Sequence, residues 1–178
     1  MTTFYERLQQ ETETERQYLL SSPLIVAAMK DGITHAEYVA FLEQAYHHVK
    51  HTTPLLMAVG SRIPEKNEWL REKIAHYIEE EIGHQEWILN DIRACGGDAE
   101  VVRHATPSLP VELMISYIWD FVSRRNPAGF FGMVYVLEGT SVNVATQAAD
   151  KIRASLSLPK NAFSYLYSHG SLDIEHID

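Results

Sequence analysis

A chain of 178 residues with 46% hydrophobic content can bury one sizeable core but hardly two, so a single domain spanning 1–178 is expected. Its formal net charge of −9 and pI near 5.4 remove the electrostatic drive toward nucleic acid or an anionic membrane surface. Cys95, alone of its kind, excludes a disulfide framework and a thiolate zinc cluster, and the charged start MTTFYERLQQETETE has no apolar leader, so an unanchored cytoplasmic protein with a buried, inert thiol is expected.

Apolar residues recur at the helical period along almost the whole chain, and Pro, Gly and capping residues mark the breaks, which predicts an all-α fold. The first amphipathic helix runs from about Phe4 to Leu20 and stops near Ser21-Ser22-Pro23, and a short turn and helix follows through Lys30. Thr34 is placed to cap a long helix reaching roughly Val59, with Tyr38, Phe41, Leu42, Ala45, Val49, Thr52, Leu56 and Val59 on its apolar side and a kink at Pro54. After a break over Gly60 to Lys66, a second long helix covers roughly Glu68 to Cys95. Its buried sides fall at Leu70, Ile74, Tyr77, Ile78, Ile82, Trp87 and Leu89, and Gly96-Gly97 ends it. A short piece at Ala99 to His104, a helix from about Val111 to Ser123, and a third long helix from about Gly129 to Leu156 come next. A short helix near Asn161 to Tyr167 precedes a separate terminal segment opened by Gly170-Ser171. That segment stops at Asp178 without a helix-ending signal, so the natural protein is expected to continue beyond it.

The chemistry concentrates in three places. Near the end, His169, Asp173 and His176 are spaced so that offsets of four and seven residues, about 400° and 700° of helical rotation, put them on one stripe. Such a stripe can bind a metal or be a solvated polar face. Glu81 and His84 form E-x-x-H, an i, i+3 pair that shares one side of a helix and is the way bundle proteins give a carboxylate and an imidazole to a di-iron site. Glu138 follows a full apolar turn, which suits a carboxylate that is bound to metal or paired with an arginine such as Arg103 or Arg153. Together these are three carboxylates and three imidazoles without sulfur. The set argues against structural zinc and against calcium, and for iron, with manganese as the alternative, as two ions with open positions. Two divalent ions outweigh the three carboxylates, which favours a further anionic group such as a substrate carboxylate. Glu43, His47 and His48 on the first long helix are candidates for an added ligand or a substrate contact, with His48 beside the apolar face and the other two further round.

These residues resemble the haem-oxygenase-like di-iron oxidases, relatives of the TenA, pyrroloquinoline-quinone synthase and haem oxygenase folds. The resemblance rests on Glu81-x-x-His84, on Glu138, and on His169-x3-Asp173-x2-His176, and it covers the chain from the helix carrying His48 to the end. It implies a single-domain haem-oxygenase-like (TenA-like) helical bundle that dimerises with itself. It further implies those six positions as ligands of two iron ions, and activation of O2 to oxidise a small carboxylate-bearing substrate of the amino-acid or fatty-acid class. A thiaminase would carry a catalytic Cys on the Gly129 to Leu156 helix, whereas Cys95 lies elsewhere. A haem oxygenase would need a proximal His near the N-terminus, and no His precedes His35. The alternative of another class is a metal-free TenA-like hydrolase or ligand-binding protein of the same fold.

Overall fold

The computed structural model describes residues 3–30 and 32–176, with the side chains of Asn143 and of 171–176 outside the description. Among the described residues there are helices and no strands. In chain order they are α1 (Phe4–Glu11), α2 (Glu13–Leu20), α3 (Pro23–Lys30), α4 (His35–Val49), α5 (Thr52–Arg62), α6 (Glu68–Glu81), α7 (His84–Ala94), α8 (Ala99–His104), α9 (Leu109–Arg124), α10 (Phe130–Leu156) and α11 (Ser164–His176), with three short 3-10 turns between them. No described helix is long and apolar enough to cross a membrane.

Several expected helices are divided, and each division has a local cause. The first splits at Thr12, whose hydroxyl donates to the Leu8 carbonyl at 2.7 Å, a back-bond that bends helices. The expected kink at Pro54 is a full break at Lys50-His51. A proline has no N–H to bond the carbonyl four residues back and its ring crowds that residue, here Lys50, so Pro54 sits in the first turn of α5 instead. Gly60, expected in a loop, lies buried within α5. A β-carbon there would stand 3.3 Å from Ile74 Cγ2, so its bare backbone admits α6 closely. The second long helix breaks at Ile82-Gly83, and Ile82, expected to be buried, is exposed. The end of α7 is as expected: Gly97 N–H donates to Ile92 O and Gly96 N–H to Arg93 O, both at 2.9 Å, the paired bonds of a Schellman stop.

The described chain forms two compact units. One comprises α1 to α3, α10 from Phe131 and α11 from Leu166. Its apolar interior includes Ala28, Val134, Tyr135, Ala145, Ala149, Ile152 and Leu166. Tyr5 meets the Tyr135 ring edge-on and the Arg16 guanidinium lies 5.7 Å above it. The other unit comprises His35–Phe130 and Pro159–Tyr165. Here α7 packs on α4, α5 on α6, and α9 on both α4 and α5. Tyr38 is fully buried, stacks on Phe163 with ring centroids 4.8 Å apart, and donates its hydroxyl to Ala162 O at 2.7 Å. Burying such large side chains at about 25 cal/mol per Å2 of apolar area is what holds these short helices, none of which would be stable alone.

A candidate metal centre

Glu81 is the last residue of α6 and His84 the first of α7, so the E-x-x-H pair does not lie on one continuous helix as the spacing predicts. Gly83 takes φ +98°, a left-handed conformation that L side chains rarely adopt, and Ile82 is extended, so the chain turns out of one helix and into the next between the two. The side chains nevertheless meet: Glu81 Oε1 and His84 Nδ1 are 3.2 Å apart, and both side chains are almost wholly buried. The imidazole stacks on Trp87 with centroids 4.0 Å apart, which fixes the ring plane and keeps water from that side.

Two donor atoms each about 2.1 Å from one ion and subtending 90–110° stand roughly 3.0–3.4 Å from each other. The observed separation falls in that range, so the pair fits adjacent ligands of one metal ion, and oxygen with imidazole nitrogen suits iron or manganese. No group of three His, Cys, Asp or Glu side chains poised for a metal occurs among the described residues. The side chains of Asp173 and His176 lie outside the description.

In the other unit, Glu138 is half-buried on α10 and His169 is buried on α11. The expected break at Gly170 is absent; α11 is helical from Ser164 to His176 and so carries positions 169, 173 and 176 on one helix. Gly170 is where α11 crosses α10. A β-carbon on it would come within 2.1 Å of Thr146 Oγ1 and 3.3 Å of Thr146 N, so only glycine admits this approach, one residue from His169. Tyr167 ties the same two helices by donating to Asp150 Oδ1 at 2.6 Å while Arg153 donates to its oxygen. Arg103, the other suggested partner of Glu138, makes a fork to both oxygens of Glu86 at 2.8 Å. Lys151, exposed, donates to Met29 O.

On α4 the histidine turned inward is His47, not His48. His47 is buried, and His48 and Glu43 are half-buried. Lys50 Nζ lies 3.2 Å from His47 Nδ1, and an ammonium only donates, so Nδ1 accepts and the ring proton sits on Nε2. Burial, with Lys50 and His51 adding to it, lowers the His47 pKa and keeps the ring neutral. That tautomer offers an N–H to a substrate oxygen. Ligation through Nε2 would need the proton moved to Nδ1, against Lys50. His51 is likewise neutral, accepting from Trp119 Nε1–H at 3.2 Å.

Asp91 was not among the expected site residues. It is fully buried on α7, seven residues past His84 and on the same side of the helix. Its Oδ1 accepts from Ser164 N–H at 2.9 Å and Ser164 Oγ–H at 2.5 Å, and its Oδ2 from Tyr165 N–H at 2.9 Å, so it caps the start of α11. Burial pushes its carboxyl pKa up, opposed by these hydrogen bonds. The available signal was its position on the apolar side shared by His84 and Ile88. Cys95 is buried as expected, and burial, with Asp91 adding to it, pushes its thiol up to about 11.

A domain of unknown function with a heme oxygenase-like fold, from Shewanella denitrificans, superimposes with a TM-score of 0.84 at 25% identity, over 99% of this chain and 76% of that one. The fold of this chain is therefore haem-oxygenase-like. No curated protein sequence matches. A family model described as iron-containing redox enzyme matches residues 39–178, a stretch that contains Glu81, His84, Glu138, His169, Asp173 and His176. The chain belongs to that family of iron-containing redox enzymes.

Proposed function

We propose that the protein is an O2-dependent non-haem di-iron oxidoreductase acting on a small carboxylate-bearing substrate of the amino-acid or fatty-acid class. The observation that carries this reading is the buried Glu81 Oε1 to His84 Nδ1 pair at 3.2 Å, at the separation of neighbouring ligands, within a chain of the iron-containing redox family. Burying a carboxylate and an imidazole together costs several kcal/mol of solvation, which a cation bound by both offsets. Glu81, His84, Glu138, His169, Asp173 and His176 are the proposed ligands. Iron(II), when bound, supplies the electrons that reduce O2.

The remaining roles fall to this chain's own groups. Trp87 holds the His84 ring and excludes water from its face. His47, with its proton on Nε2, is suited to hydrogen-bond a substrate oxygen, and Lys50 holds it in that tautomer. Tyr135 lies one turn before Glu138 on α10 and contributes an apolar wall. We propose in addition that the chain acts as a homodimer; the exposed stripe Leu109, Leu113 and Tyr117, at i, i+4 and i+8 on α9, supports this.

The test is anaerobic loading with iron(II), metal analysis, and O2 uptake on mixing. The expected result is about two ions per chain, with Glu81→Ala and His84→Ala each losing half or more of that uptake while retaining helical circular dichroism. Uptake below about one ion per chain, or loading indifferent to both substitutions, would overturn the reading in favour of a metal-free hydrolase or ligand-binding protein. Manganese(II) in place of iron(II) distinguishes the two metals.

A further inference from the structure

We infer that Asp91 is the positioning residue for α11, the helix that carries three of the six proposed ligands; this rests on the di-iron reading above. The first N–H groups of a helix have no partner within it, and a carboxylate that accepts them fixes where the helix starts and which way its faces turn. Asp91 does this with both oxygens, accepting three hydrogen bonds from Ser164 and Tyr165 at 2.5–2.9 Å. It does so as a wholly buried residue, out of contact with bulk water.

Its own position is rigid. Asp91 stands between Leu89 and Ile92, each fully buried, and one turn beyond Ile88 on α7, which packs against α4 and against the 3-10 turn Lys160–Ala162 just before α11. The helix that begins at His84 therefore supplies, two turns later, the acceptor that sets the start of the helix bearing His169, Asp173 and His176. His169 is five residues past Ser164, so a change of one residue in where α11 starts turns that histidine by about 100°. Every described hydrogen bond of the Asp91 side chain goes to the cap, which marks it as a group acting through α11.

The experiment uses the full chain and the substitutions Asp91→Ala, Asp91→Asn and Ser164→Ala. Two measurements are made on each: amide hydrogen exchange in α11 without metal, and uptake of iron(II) under anaerobic loading. Loss of hydrogen bonds to a charged cap predicts that Asp91→Ala speeds exchange through the first turns of α11 by about tenfold or more, with α5 and α6 unchanged. Its iron uptake falls by about half or more. Asp91→Asn keeps one acceptor oxygen for Ser164 and lacks the second for Tyr165, so it recovers most of the uptake. Ser164→Ala, which removes one of the three bonds, gives a smaller change in the same direction.

Unchanged exchange in α11, or altered exchange with undiminished iron uptake, overturns the inference. Should Asp91→Ala fail to fold, the graded pair Asp91→Asn and Ser164→Ala decides it by the same two outcomes. Should the wild-type chain bind no iron, the di-iron reading falls, and local loss of exchange protection confined to α11 still supports Asp91 as its anchor while uniform or absent change refutes it.

Discussion

Two buried histidines, His84 and His169, each have a glycine beside them, and the two glycines are required for opposite reasons. Gly83 has open space around it, with nothing within 4 Å of a would-be β-carbon, and is needed because its backbone sits at φ +98°. Gly170 has an ordinary helical backbone and is needed because Thr146 occupies the space a side chain would take. At the first, a break in the helix swings two donors together; at the second, an unbroken helix is drawn close to its neighbour. A donor pair three residues apart can therefore be assembled without a helix, and a glycine in mid-helix need not mark an end.

Substitution should separate the two cases. The largest effect is expected at Gly170→Ala, where overpacking against Thr146 costs about 1–3 kcal/mol, seen as a lowered urea midpoint. Adding Thr146→Ala removes the closest clash and should return most of the loss; no recovery would mean that the contact does not limit packing. Gly83→Ala comes next, at about 1–2 kcal/mol of backbone strain, and Gly83→Asn should fall between it and the wild type because asparagine enters the left-handed region more readily. Equal losses for alanine and asparagine would refute a conformational cause.

Smaller effects are expected from titration in the unit that holds the Glu81–His84 pair. His47 has a folded pKa below its ordinary value near 6.5, so the stability it contributes is present above that value and is lost as pH falls through the lowered pKa. Thermal melts of His47→Gln should show a shallower loss of stability below about pH 6.5 than the wild type. An unaltered slope would remove His47 as the cause. The smallest effect belongs to Arg103→Ala. Hydrogen bonding from Arg103 holds the Glu86 carboxyl below the usual carboxylate range, so the pair stabilises at neutral pH and ceases to do so once acid protonates Glu86. Both partners are partly solvated, which keeps the gain small. The difference between the Arg103→Ala and wild-type melts should be visible at neutral pH and vanish at the acid end.

The helical class and most helix ends were legible because period and capping chemistry are local. Asp98 accepting from Glu100 and Val101 at the start of α8 is of that kind, as are Gly96 and Gly97 at the end of α7. The divisions were harder to see. A lone Gly83 in a helical pattern costs only about 1 kcal/mol, so the pattern by itself does not say whether the helix continues. His48 lies beside the apolar face of Ala45, Val49 and Thr52, with Glu43 and His47 further round, and that one face is all that the helical period shows. The buried set on α4 is Tyr38, Leu42, Tyr46, His47 and Val49, and His47, nine residues past Tyr38 and so about 180° round the helix from it, is covered on a second side of α4. The role of Asp91 is not legible from its own neighbourhood, because its oxygens accept from residues more than seventy positions away.

Residue type and spacing were enough to establish an all-helical chain and to mark Glu81-x-x-His84 and His169-x3-Asp173-x2-His176 as candidate ligand motifs, since helical period, capping and motif spacing depend on residues within a few positions of one another. Which donors are buried, that Glu81 and His84 meet across a turn, that His47 faces inward, and that Asp91 anchors α11 were decided by tertiary packing. Burial and hydrogen-bond satisfaction are settled between segments distant in sequence, and a one-residue change of register turns a helical side chain by about 100°, from interior toward solvent.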